Sequence, residues 1–251
     1  MPEAHDPPLK EGREQPIAAS KGRRGRFTAR RTQPMSAFTG RREQPLPIRI
    51  VHWCNAVFLI LMAGSGLQIF MAYPSLGPRG AQYRWYPFQG MPTPAWTRIG
   101  GWLGGGRQWH FAIAWFFVLN GIFYLTYFVL SGEWRRRMFR PWRDANGAVA
   151  QFLYYLRIRR TAPTKDFYNG LQRFAYTSVI IFGLVMVLSG LAIYKPVQLH
   201  FLTLLFGGYD GARVIHLAGL CLFTMFLAAH LVLVSMHPRE ILNMITGGPR
   251  E

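Results

Sequence analysis

The chain has 251 residues, half of them hydrophobic, yet carries a formal net charge of +18. A soluble domain this basic would point to nucleic acid, but here the charged and apolar residues are segregated along the chain, which excludes that partner and points to a membrane. The two cysteines, Cys54 and Cys221, have no CxxC or CxxCH pattern around them, which excludes a disulfide framework, a thiolate zinc site and a covalently attached c-type haem.

Residues 1–45 are rich in Arg, Pro, Gly, Gln and Glu and lack apolar periodicity, so they are expected to form a disordered, basic cytoplasmic tail. "KGRRGRFTARR" looks like a twin-arginine export signal, but the apolar run starts well after it and is a full span, so no cleaved signal is expected. The rest of the chain, 46–251, reads as one membrane domain. Runs free of Asp, Glu, Lys and Arg give transmembrane helices over about 50–72, 109–130, 174–194 and 214–236. Each is close to the ~20 residues a helix needs to cross a ~30 Å hydrocarbon core. The expected fold is therefore an all-α integral membrane protein, a four-transmembrane-helix bundle.

Arg and Lys set its orientation. Residues 1–49, 131–173 and those after Met236 hold 11, 10 and 2, whereas 72–108 and 195–213 hold 4 and 2. The positive-inside rule places both termini in the cytoplasm. The connection 72–108 is long, broken by Pro and Gly, and carries Trp85, Tyr86, Trp96 and Trp102, residues suited to a membrane interface. It reads equally as a partner-docking surface or as a cover over the helix ends. In the inner loop, 148–157 reads as a short amphipathic helix on the membrane surface. No internal repeat is evident.

The fourth span carries two histidines, His216 and His230, fourteen residues apart. Fourteen helical residues rise about 21 Å and accumulate a rotation of about −40°, so the two share a face near opposite membrane surfaces. His52 opens the first span and His110 the second. Each level thus has two histidines from different helices: His52 with His230 inside, His110 with His216 outside. Two neutral imidazoles facing each other across a bundle can ligate a b-type haem iron from both sides, and two such levels make an electron path across the membrane. The expected cofactors are two haem b groups.

Arg49, Arg107 and Arg213 each stand three residues before a histidine, one turn toward the surface, where a guanidinium suits a haem propionate. Snorkelling at a helix end is the plainer account of the same pattern. Gly66 lies fourteen residues after His52 and Gly121 eleven after His110, near the faces of those histidines, where they leave room for a flat macrocycle. Gly183 and Gly190 have no histidine to frame them and are assigned to packing. His5 falls in the tail, His200 in an outer loop, and His237, next to Pro238, at the water boundary; His230 is preferred over it as iron ligand. Two other readings remain open: a transporter or proton channel using intramembrane histidines, against which the spans contain no Asp or Glu, and a non-redox membrane anchor.

The four spans and the histidine constellation resemble the di-haem cytochrome b subunits of membrane-bound hydrogenases and formate dehydrogenases. "RIVHWCNAVFLILMAGSGL", "LQRFAYTSVIIFGLVMVLSGLAIYKP" and "HLVLVSMHPREILNMITGG" are more similar to thiosulfate-reductase-type cytochrome b subunits. The resemblance covers about 46–248. It implies a multi-pass electron-transfer subunit of an oxidoreductase complex in the inner (plasma) membrane of a bacterium, with quinone as diffusible substrate. It also implies an extracytoplasmic molybdopterin or iron–sulfur subunit as partner, since this chain has no cysteine cluster or nucleotide fingerprint of its own and catalysis must lie elsewhere.

Overall fold

The computed structural model describes residues 44–161 and 169–248; the basic tail and His5 lie outside them. Among the described residues there are eight α-helices and no strand: α1 (Leu46–Phe70), α2 (Leu103–Leu130), α3 (Trp134–Arg137), α4 (Pro141–Tyr155), α5 (Gly170–Tyr194), α6 (His200–Leu205), α7 (Gly208–Met236) and α8 (Pro238–Thr246). The four long ones, α1, α2, α5 and α7, are apolar enough to cross a membrane. They have 25, 28, 25 and 29 residues, or about 38–44 Å of helix, so their ends pass beyond a ~30 Å hydrocarbon core into the interfaces.

All four begin earlier than the charge-free runs, because helices accept Arg and Gly at interfacial ends when packing supports them. In α2, Gly104, Gly105 and Gly106 are helical. A Cβ on Gly106 would stand 2.9 Å from Gln68 Cγ, and one on Gly105 would strike the Gly100 carbonyl oxygen. These glycines let the start of α2 press against the end of α1 and its loop. Helix α5 starts at an Asn169 capping box: Gln172 N–H donates to Asn169 Oδ1 at 2.8 Å, and Asn169 N–H donates to Gln172 Oε1 at 3.1 Å. Replacing Asn169 with Ala is expected to cost about 1 kcal/mol, read as a lower thermal midpoint of the purified protein. The surface helix α4 starts at Pro141, ahead of the expected 148, because Pro suits a first turn and Asp144 Oδ2 accepts from Arg140 N–H at 2.9 Å. Asp144 also pairs with Arg173 at 3.1 Å, fastening α4 to α5.

The long helices pack as two hairpins, α1 on α2 and α5 on α7, and backbone contacts between the hairpins are far sparser than within them. Only a small share of each span is buried against protein. Side chains cross between the hairpins instead. Phe111 meets Tyr194 with ring centres 4.4 Å apart, and Phe117 reaches the open flank of Gly183.

The hairpins also repeat one another, which corrects the expectation of no internal repeat; the matching residues are too few and too widely spaced to stand out until the helices are laid side by side. Arg49, Met62, Ser65 and Gly66 of α1 return 124 residues later as Arg173, Met186, Ser189 and Gly190 of α5. Gly105, Arg107, His110 and Phe117 of α2 return 106 residues later as Gly211, Arg213, His216 and Phe223 of α7. Gly211 presses on the Phe206 carbonyl oxygen as Gly105 does on that of Gly100. The correspondence fails at His52 and His230, whose counterparts are Tyr176 and Tyr124.

The 72–102 connection is tied down rather than loose. Gln89 accepts from Leu76 N–H at 3.0 Å and donates to the Leu76 and Tyr83 carbonyls at 3.1 and 2.8 Å. Trp85, Trp96 and Trp102 remain exposed on it.

Candidate functional site

The structure brings the four intramembrane histidines together as two pairs. His52 of α1 faces His230 of α7 with ring centres 6.1 Å apart and planes inclined by 59°. His110 of α2 faces His216 of α7 at 6.3 Å and 70°. Imidazole nitrogens bond metals at about 2.0–2.1 Å, so two rings gripping one metal from opposite sides bring their centres to roughly 6 Å. Both pairs meet that spacing, and each joins one hairpin to the other.

Hydrogen bonds decide which nitrogen faces the gap in the His110–His216 pair. His110 Nδ1 is 3.1 Å from the Met62 carbonyl oxygen and 3.2 Å from Ser65 Oγ. A carbonyl only accepts, and the Ser65 hydroxyl already donates to the Leu61 carbonyl at 2.6 Å. His110 Nδ1 therefore carries the proton and donates, leaving Nε2 with a free lone pair. His216 is held in a similar way: its Nδ1 is 3.0 Å from Ser189 Oγ, and the Ser189 hydroxyl donates to the Val185 carbonyl at 2.7 Å, leaving its oxygen to accept. Two unprotonated nitrogens on rings whose centres are 6.3 Å apart suit an electrophile between them.

The other pair has a different setting. His52 Nδ1 is buried with no partner, and the His230 ring lies flat against Phe226, 5.9 Å away and inclined by 11°. Next to His52, Asn120 of α2 donates to the Val51 carbonyl at 3.2 Å and to Asn55 Oδ1 at 2.8 Å, fixing that turn of α1.

No cluster of three or more His, Cys, Asp or Glu that could hold a metal ion occurs among the described residues. A bare cation would find only two protein ligands, whereas iron held in a porphyrin needs just two axial ones. Spacing, ligand number and, in the His110–His216 pair, tautomer all fit haem.

The flanking residues divide. Gly66 sits against His110: a Cβ there would lie 3.2 Å from the ring's Cε1. Gly190, expected only to serve packing, has the same 3.2 Å relation to His216 Cε1. Both glycines make room for an imidazole. Gly121 has open space where a Cβ would point. Arg49 Nε donates to the Met244 carbonyl at 3.3 Å, strapping α8 to α1 together with Trp53. Arg213 donates to the Tyr73 and Ser75 carbonyls at 3.0 and 2.9 Å and stands 3.5 Å from Asp210. Arg107 is exposed, lies over the Phe111 ring and borders an open groove with Gly104, Gln108 and Tyr194. His237 bonds the Leu233 carbonyl at 2.9 Å where α7 ends, and both it and His200 are exposed. Sequence reasoning missed Ser65, Ser189 and the Met62 carbonyl; the signal was the Met-x-x-Ser-Gly spacing shared by α1 and α5.

Four membrane-crossing helices carrying facing imidazole pairs define a membrane cytochrome of the b type. Residues 43–247 match the prokaryotic cytochrome b561 family, and the chain belongs to it. Members of this family bind haem b, and the protein is a multi-pass protein of the bacterial inner membrane. The chain is also similar to a putative protein-methionine-sulfoxide reductase subunit, YedZ1, of Azospira oryzae, with 34% identity over 200 residues that cover 80% of this chain and 93% of the relative. No solved structure matches it.

Proposed function

We propose that this cytochrome carries electrons between the quinone pool and an extracytoplasmic redox enzyme through two bis-histidine haem b groups, with both termini in the cytoplasm. The reading rests on one observation: four histidines from three helices meet as two pairs, 6.1 and 6.3 Å between ring centres, with the two histidines of α7 about 21 Å apart along the helix. Bound haem supplies a one-electron Fe(III)/Fe(II) couple at each level. His52 and His230 hold the inner group, His110 and His216 the outer one. Ser65, Ser189 and the Met62 carbonyl keep the outer imidazoles in the tautomer that offers Nε2. Arg107, whose guanidinium borders an open groove while Arg49 and Arg213 bond backbone carbonyls, is the best placed of the three to meet a propionate. Arg49 and Arg213 shape the same ends of the bundle through the α8 strap and the 72–102 loop.

The name of the similar Azospira oryzae protein, a reductase subunit, supports a partner chain that performs the chemistry on a soluble substrate. A molybdopterin or iron–sulfur subunit suits that role, as does the resemblance to thiosulfate-reductase-type subunits. The test is the visible spectrum of the purified protein. Two haem b per chain, with the sharp reduced bands of low-spin bis-histidine iron, are expected. A colourless protein would leave only the channel and anchor readings.

A further inference from the structure

Ser65 and Ser189 have no exposed surface, yet each lies within an apolar span. Serines in such helices commonly fold back on a carbonyl one turn earlier and act as small packing residues. Both do so here, toward Leu61 and Val185. Packing alone would leave the remaining lone pairs of each oxygen idle. Instead each oxygen accepts from a histidine Nδ1, at 3.2 Å from His110 and 3.0 Å from His216. The glycine that follows each serine lets the same imidazole close in, with Cε1 only 3.2 Å from where a Cβ would stand. The two arrangements come from corresponding places in the two hairpins. The His52–His230 pair has no such support at His52, whose Nδ1 is buried without a partner.

We propose that Ser65 and Ser189 are a matched pair of positioning residues that set the electron-donating strength of His110 and His216, and so hold the outer haem at a lower potential than its ligands alone would give. This inference rests on the di-haem reading above. A hydrogen bond accepted from Nδ1–H makes the imidazole a more basic ligand. A more basic ligand favours the more positive ferric iron over the ferrous form, which lowers the midpoint. The two rings differ in what remains when the serine is removed: His110 Nδ1 keeps the Met62 carbonyl at 3.1 Å, whereas His216 Nδ1 loses its hydrogen-bond acceptor, so Ser189→Ala should act more strongly than Ser65→Ala.

The experiment uses the full-length holoprotein and its Ser65→Ala, Ser189→Ala, double-alanine, Ser65→Thr and Ser189→Thr variants, studied by redox titration and low-temperature electron paramagnetic resonance. Each alanine should raise the midpoint of the outer haem and shift its resonance, the double variant more than either single one, with the inner haem unmoved. Threonine keeps the hydroxyl and should return both readouts toward wild type. Haem affinity at the outer site should fall on the order of 10–100-fold in the alanine variants. Should an alanine variant purify without its outer haem, retention of that haem by the matching threonine variant supports the proposal and its loss overturns it. Wild-type midpoints and resonances in the double-alanine variant overturn it, and so does a parallel shift of both haems. A wild-type protein without haem would instead overturn the di-haem reading itself.

Discussion

Replacing His216 with Ala is expected to halve the haem content of the purified protein, removing the outer group and sparing the inner one. His230→Ala should do the reverse, and His237→Ala should leave both. The effect is large because each pair has no third protein ligand to fall back on: among the described residues no wider cluster of metal-binding side chains exists. Removing His216 would leave an iron held between the two rings with His110 as its one protein ligand there. The two variants differ in which signal survives, so haem counting combined with paramagnetic resonance separates a ligand loss from general misfolding. The competing assignment, in which His237 grips the inner iron, requires His230→Ala to keep both haems and His237→Ala to lose one. Its geometry argues against that outcome: His237 is exposed, bonded to the Leu233 carbonyl, and forms the break between α7 and α8.

Arg137→Met is expected to destabilise the protein by up to about 3–5 kcal/mol, because it strips a buried carboxylate of the cation 2.7 Å away and leaves Arg136 at 3.9 Å. Glu133 and Arg137 are 1% and 2% exposed and meet at 2.7 Å. Arg137 also lies 5.6 Å over the Tyr176 ring and donates to Gln44 Oε1 at 3.3 Å, so one guanidinium links the end of α2, the start of α5 and the segment leading into α1. The double variant Glu133→Gln/Arg137→Met should recover much of the loss, since it removes a buried charge left with a more distant cation. Thermal denaturation in detergent, followed by helical circular dichroism, reads both. A single variant that melts with the wild type would show that water reaches this pair.

The four spans were legible because charge-free runs of about 20 residues have no soluble alternative of comparable length, and the histidine pairs because helical periodicity puts residues fourteen apart on one face. The early start of α2 was not legible. Three consecutive glycines read as a break, and only the contacts of Gly105 and Gly106 with the Gly100 carbonyl and Gln68 explain why a helix tolerates them. Arg49 and Arg213 fit the expected one-turn offset from histidine, yet their hydrogen bonds go to backbone carbonyls of α8 and of the 72–102 loop. A spacing rule places a side chain on a face without saying which acceptor lies nearest. Gly190 was assigned to packing because no histidine shares its helix; its histidine comes from α7. Ser65 and Ser189 drew no notice, since a lone serine in an apolar run carries no distinguishing pattern until its counterpart is laid beside it.

The kinship of the two hairpins bears on how the two histidine levels are built. Each hairpin supplies the His110–His216 level with one imidazole, one serine and one glycine. The other level breaks the correspondence: where one hairpin has His52 the other has Tyr176, and where one has His230 the other has Tyr124. The two levels thus differ in kind, one built twice over from the same residues and the other only once.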